Sequence, residues 1–295
     1  MTDLRDMQLL SALARHKHFA RAADECGISQ PAFSARIRNL EQSLGAPIVK
    51  RGNRFIGFTA EGEIVLKWAH TLLADADGLR QDIEAAKGAL GGQLRIGVVP
   101  TALAYVATLP PKLRALHPDL SVQIISTSSI QITQGLEDFS LDAGISYLDE
   151  KIPGSLTSTP LYEERYVVVV PPAMAPRKSG AISWAEAATL PLCLLTQDMR
   201  NRRIIDETFE TVGANPKPVM ETNAFTAALA QVATGISATI APELLAESLP
   251  IASDAVRLSL TEPVVTKPIG LLVADRDPMP PTIKALQTAL DIPLR

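Results

Sequence analysis

Apolar residues recur at Leu4, Met7, Leu10, Leu13 and Ala14, the spacing of one helical face, so residues 4–16 are expected to form a helix. A short second helix follows from Phe19 to Cys26, stopped by Gly27. Ser29 is a good N-cap for a third helix, and Pro31 falls in its first turn, where a missing N–H costs little. That helix runs to about Leu44 and ends at Gly45. Its inward face is Phe33, Ile37, Leu40 and Leu44, and its other side carries Gln30, Ser34, Arg36, Arg38 and Asn39. Residues 46–59 then read as two short strands around Gly52 and Asn53, a hairpin with Lys50, Arg51 and Arg54 near its tip. Three helices and a basic hairpin make a winged helix-turn-helix.

The pattern changes at Thr59, a candidate cap for a long helix over 59–90. Val65, Ala69, Leu72, Ala76, Leu79, Ile83, Ala86 and Leu90 alternate steps of four and three. This is the a/d seam of a dimerisation helix, although a helix packed on its own domain gives a similar pattern. Three alanines on the seam suggest close approach, and Gly91 and Gly92 end the helix and make a hinge. From Gln93 onward strand-like and helix-like runs alternate, as in a parallel α/β domain. "LTSTPLYEERYVVVVPP" reads as two strands around a turn, and residues 171–181 as a loop.

Composition narrows the class. Hydrophobic residues are 46% and charged residues 20%, ordinary values for a soluble globular chain. No apolar run is long enough to span a membrane, and the N-terminus does not resemble a signal peptide, so a cytoplasmic protein is expected. Cys26 and Cys193 lie far apart, and no His/Cys group has zinc spacing, so neither a disulfide framework nor a metal site is expected.

Charge is uneven along the chain. Residues 1–58 hold nine basic and five acidic residues, and the remainder holds 19 basic and 27 acidic. A basic head on an acidic body suits a head that meets a polyanion. On the third helix, Ser29, Gln30, Pro31 and Ser34 lie where side chains enter a DNA major groove. Gln30 and Ser34 reach base edges there, with Arg38 as a further candidate. Arg36, Lys50, Arg51 and Arg54 are placed to hold phosphates, which fixes register without reading sequence.

The stretches "FARAADECGISQPAFSARIRNLEQSLGAPIVKR", "FTAEGE", the seam helix, "GGQLRIGVVP", "LDAGI" and "GISATIAP" together resemble the LysR-type transcriptional regulators over essentially the whole chain. One departure is "PIVKR", where the family usually carries Leu-Phe before the basic residue. The resemblance implies a DNA-binding domain at 1–58, a linker helix at 59–90 and an effector-binding domain at 91–295. That last domain would be periplasmic-binding-protein-like, with subdomain I at about 93–161 and 267–295 and subdomain II at about 162–266. It also implies double-stranded promoter DNA as partner, a dimer of dimers, no membrane attachment, no cofactor and a small-molecule co-inducer in the cleft.

Ligands of such α/β modules sit at the carboxyl ends of strands, near helix N-termini. Pro100, Thr101, Thr127, Ser128, Ser129, Ser146, Thr196 and Asn223 occupy those ends, and the family resemblance implies that Thr101, Ser128 and Thr196 are foremost. These hydroxyls would equally well cap the following helices. Hydroxyls beside helix N-termini favour an anion, and one of Arg200, Arg202 and Arg203 could supply a charge, so a small carboxylate or oxyanion is expected.

Two other classes compete. An enzyme lacks support, because there is no nucleophile elbow, P-loop, HExxH or strand-borne GxGxxG, and the four histidines do not populate the cleft. An architectural DNA binder without ligand would use the same head and seam helix, and the polar strand ends argue against it only weakly.

Overall fold

A computed structural model of the chain describes residues 3–51, 55–176, 180–249 and 254–292. The chain divides into two compact units, Met1–Leu90 and Gly91–Arg295.

The first unit opens with α1 (Leu4–His16), α2 (Phe19–Glu25) and α3 (Gln30–Leu44). The carboxylate of Asp3 accepts the Asp6 N–H and caps α1, and Ser29 caps α3 by accepting the Ala32 N–H. Gly45 closes α3 at φ 69°, a conformation that costs glycine little. The antiparallel hairpin of β1 (Val49–Arg51) and β2 (Phe55–Phe58) follows. Met7, Leu9, Leu10, Leu13, Ala22, Phe33, Ile37, Leu40 and Ile48 form the core. Leu4 and Leu44, expected on the inward faces, are instead exposed at the helix ends.

The long helix α4 spans Ala60–Ala86, capped by the Thr59 hydroxyl, which accepts the Gly62 N–H at 2.9 Å. It stops short of Leu90, because Gly88 adopts φ 82° ahead of the glycine pair. The eight-residue seam therefore divides. Val65 and Ala69 pack into the head core together with Leu66 and Leu73. Ile64, Trp68, Leu72, Leu79 and Ile83 form an apolar stripe left open to solvent. A side chain at Gly62 would place its Cβ 2.1 Å from the Ile48 carbonyl oxygen, so the helix can cross the base of the hairpin only with glycine there.

The second unit comprises β3 (Gly92–Val98), α5 (Leu103–Val106), α6 (Leu109–Leu116), β4 (Leu120–Ser126), α7 (Ser129–Glu137), β5 (Ala143–Tyr147) and β6 (Leu156–Val170). Then come β7 (Ala181–Ser183), α8 (Trp184–Ala187), β8 (Leu192–Leu195), α9 (Arg200–Thr211), β9 (Met220–Thr222), α10 (Phe225–Ala233) and β10 (Ala238–Pro242). The series closes with α11 (Glu243–Ser248), β11 (Val256–Thr261), β12 (Thr266–Ala274) and α12 (Pro281–Ala289).

The strands run in the order β4-β3-β5-β12-β6-β10-β8-β9, with β11 joining β6 to β7. Strands β4, β3 and β5 are parallel, as are β10, β8 and β9, while β12 and β6 run antiparallel to their neighbours. The module is thus two α/β lobes, and β6 runs through both. Its first part pairs with β12, Tyr166–Val169 pair with β10 and Val167–Val170 pair with β11.

Two expectations are corrected here. "LTSTPLYEERYVVVV" is one continuous strand, not two around a turn. Pro160, which has no N–H to donate, is accommodated where the register with β12 slips between Ile269 and Gly270. Residues 171–181, read as a loop, contain a 3-10 turn (Pro172–Met174) and the first residue of β7, and 177–179 lie outside the described residues.

Candidate nucleic-acid interface and effector cleft

In the first unit, burial of Phe33, Ile37 and Leu40 fixes which way α3 faces. Ser29, Gln30, Pro31, Arg38 and Asn39 are left exposed, and Ser34 half-buried. Lys50 is exposed on β1, while the side chain of Arg51 and the whole of Arg54 lie outside the described residues. A shallow concavity of about 620 Å3 beside the start of α3 is lined by Lys17, His18, Phe19, Ala20, Gln30, Phe55 and Ile56.

Arg36, expected on phosphate, is engaged within the head. Its Nε donates to Asp6 Oδ1 at 3.0 Å and its Nη2 to Asp3 Oδ2 at 2.9 Å, joining α3 to the start of α1. Arg38 and Lys50 make no ion pair with a described residue, so their charge stays available. Glu41 accepts the Ile48 and Val49 N–H groups at 3.0 and 3.2 Å and fixes the hairpin to α3.

In the second unit, a cavity of about 10 Å3 lies between the lobes. One wall is Val99, Pro100, Thr101, Ser128, Ser129 and Tyr147, at the ends of β3, β4 and β5. The other is Leu195, Met199, Arg200 and Asn201, at the end of β8 and the start of α9. Of the expected effector residues, Pro100, Thr101, Ser128 and Ser129 meet here. Thr127, Ser146, Thr196 and Asn223 do not line the cavity. The Thr127 hydroxyl donates to Gln131 Oε1, and the Thr196 backbone N–H donates to the Thr222 carbonyl. Ser146 is buried with a hydroxyl that has no partner among the described residues, and Asn223 is exposed. Ser128 also caps α7 by accepting the Gln131 N–H, so capping and lining the cavity are combined in one residue.

The sequence reading missed Tyr147, Asn201 and the groups behind them. The Tyr147 hydroxyl lies 3.1 Å from Thr101 Oγ1 and 2.8 Å from Glu164 Oε1, and the Tyr166 hydroxyl donates to the same Oε1 at 2.9 Å. Glu164 is 2% exposed on β6, paired in register with Lys267 of β12, where the chain crosses between lobes. Burial pushes its carboxyl up to about 7 despite the hydrogen bonds from both tyrosines, and its Oε2 has no partner among the described residues. Burial, reinforced by Glu164, holds both tyrosine hydroxyls well above their ordinary value. "YEERY" carries an alternation that hints at one inward acid, but nothing in the sequence says which glutamate it is.

All three arginines are ion-paired, but the buried Nε of Arg200 has no hydrogen-bond partner among the described residues and lies 3.5 Å from Glu150 Oε1. Arg200 pairs with Asp149 at 2.6 Å and Glu207 at 2.9 Å. Arg202 is buried against Asp206, Glu221 and the Leu195 carbonyl, and Arg203 meets Glu150 at 2.9 Å. Lys267 also reaches Asp149, at 3.1 Å. Of the three, Arg200 alone touches the cavity, and its charge is balanced there.

A winged helix-turn-helix head and a two-lobed α/β module with a cavity between its lobes define a class of bacterial regulator. The family model for the LysR substrate binding domain matches residues 87–291, and that for bacterial regulatory helix-turn-helix proteins of the lysR family matches residues 4–63. The chain belongs to the LysR family.

Among curated relatives, the hydrogen peroxide-inducible genes activator of Haemophilus influenzae is 31% identical over 191 residues, 64% of this chain and 60% of that protein. The chain thus spans about three fifths of that relative's length. The regulator IlvY of Escherichia coli is 28% identical over 252 residues, 84% of each chain. A full-length OxyR variant from Pseudomonas aeruginosa superposes with a TM-score of 0.79 at 23% identity, covering 98% of this chain and 95% of that one, which supports the fold. Among the described residues, no helix is long and apolar enough to cross a membrane.

Proposed function

We propose that the chain is a ligand-responsive transcriptional regulator of the cytoplasm. The head binds double-stranded promoter DNA, and the cleft takes a small anionic effector. The observation that carries the reading is the outward polar face of α3, where Gln30, Arg38 and Asn39 are exposed while Phe33, Ile37 and Leu40 anchor the helix. Gln30, Ser34 and Arg38 read base edges, and Lys50, Arg51 and Arg54 hold phosphates. Arg36 serves to join α3 to α1. The open stripe on α4 supports self-association, which places two heads on two half-sites. In the assembly, a dimer of dimers, effector binding changes the angle between the lobes and so the DNA bend.

The names of several relatives invite a peroxide response, but the two cysteines here give a thiol-based one little support. Burial pushes the Cys193 thiol up, and Cys26, also raised by burial, lies in the other unit. The experiment is a mobility shift on the chain's own upstream DNA, with and without a panel of small carboxylates and oxyanions. A specific shift, lost in Ser34→Ala/Arg38→Ala and altered in footprint by one panel member, supports both halves. Specific binding indifferent to every panel member removes the effector half. No specific binding to any upstream fragment removes the regulator reading.

A further inference from the structure

The cavity between the lobes has a hydrogen-bonding character that goes beyond attraction for an anion, and the inference drawn from it rests on the reading of that cavity as the effector site. Asn201 is 3% exposed and lines the cavity, yet neither its Oδ1 nor its Nδ2 has a partner among the described residues. A buried amide with both ends open costs stability until something satisfies it. Asn201 stands in the first turn of α9, a helix of 12 residues whose N-cap, Met199, has no side chain that caps it. Ser128 and Ser129 bring the start of α7 to the same cavity from the other lobe. Two helix N-termini thus converge, each favouring negative charge.

The opposing groups are acceptors. Tyr147 has a single proton and stands between Thr101 and Glu164. When Tyr147 donates to Glu164, the Thr101 hydroxyl donates to Tyr147 and turns a lone pair to the cavity. Asn201 Oδ1 is a second acceptor seeking a donor. A fully deprotonated oxyanion satisfies the helix ends and Asn201 Nδ2 but leaves those two acceptors unmet. The cavity of about 10 Å3 is room for about one water-sized molecule, so a planar ion of four non-hydrogen atoms enters only as the lobes part, and the smallest ligands require the least opening.

We propose that the cavity selects a small planar oxyanion that keeps one proton, its charged oxygens on the starts of α7 and α9 and its O–H donated to Asn201 Oδ1. Bicarbonate has this chemistry. Nitrate has the same charge, planar shape and number of non-hydrogen atoms but no donor, and urea has the same shape with donors but no charge.

The test is calorimetric titration of the full chain, without DNA, with bicarbonate, nitrate and urea at pH 7.5 and constant ionic strength. Bicarbonate is expected to bind at least about tenfold more tightly than nitrate, the difference of one satisfied buried hydrogen bond. Urea is expected to give no heat of binding. Asn201→Leu is expected to bring bicarbonate down to the level of nitrate, with its melting curve confirming that it folds. The wild-type comparison stands alone should that variant not fold. Equal affinity for bicarbonate and nitrate overturns the requirement for a donor, binding of urea overturns the requirement for charge, and no binding of any of the three overturns the site. A mobility shift with the same preparation separates the readings. Retained DNA binding with no discrimination sinks this inference alone, whereas lost DNA binding sinks the regulator and leaves the titration to be judged by itself.

Discussion

Replacing Glu164 by Gln should change how the fold responds to pH. The carboxyl is ordinarily half-protonated near pH 4.5 and in the folded chain near pH 7, because burial disfavours its charge. Between those values the folded chain holds a proton that the unfolded chain has released, so stability falls as pH rises. A tenfold change in proton affinity is worth about 1.4 kcal/mol, so the whole shift amounts to about 3 kcal/mol. That stabilisation is complete below pH 4.5 and lost as pH passes through about 7. Gln keeps an oxygen to accept the Tyr147 and Tyr166 hydroxyls but cannot ionise. The other charge that bears on Glu164 is Asp149, which also opposes ionisation and stays in place in the variant. The variant should therefore match the wild type near pH 4.5 and exceed it at pH 8. For a module of this size the gain is a melting temperature higher by about 6–12 °C. Thermal unfolding of both proteins from pH 4.5 to 8.5, followed by circular dichroism, gives the answer. Parallel curves for the two proteins would refute the reasoning, because they would mean that Glu164 carries its charge at no cost inside the fold.

Gly62→Ala should destabilise the head by about 1–3 kcal/mol, read by urea unfolding, because the new methyl would overlap the Ile48 carbonyl oxygen. Arg38→Ala should weaken operator binding by about 1–3 kcal/mol if it reads a base, and with less sequence discrimination. Arg36→Ala should instead lower the melting temperature and leave the preference among operators unchanged, because its guanidinium is engaged by Asp3 and Asp6. Leu79→Lys with Ile83→Lys should shift the chain toward monomer in sedimentation, since both residues lie on the open apolar stripe of α4.

The head was legible because its signals are local. Ser29, Pro31 and Gly45 mark the ends of α3 by backbone chemistry that needs no tertiary partner. The seam of α4 was legible as a period but not as a destination. Val65 and Ala69 share that period with Leu79 and Ile83, and only the fold shows that the first pair packs into the head while the second stays open. The cleft was half legible. Strand ends followed by Ser or Thr announce Thr101, Ser128 and Ser129. Asn201 gives no such sign, because an amide in a helical first turn looks like any solvated residue until its neighbours are known. The pairing of Arg36 with Asp3 and Asp6 spans about thirty residues, and that of Arg200 with Asp149 about fifty. Sequence shows a charge of each sign but not which ones cancel.

Gly62 has a mechanical consequence. Because its backbone is seated on the Ile48 carbonyl, and Val65, Leu66, Ala69 and Leu73 continue into the head core, the first half of α4 is one rigid body with the head. The helix is then a lever and not a tether. Its 27 residues, at about 1.5 Å each, give an arm of about 40 Å. A tilt of about 10° applied at the far end swings the head by about 7 Å, which is about two base-pair steps along a duplex. A small angular change at one end of α4 is thus a large linear displacement of α3 at the other.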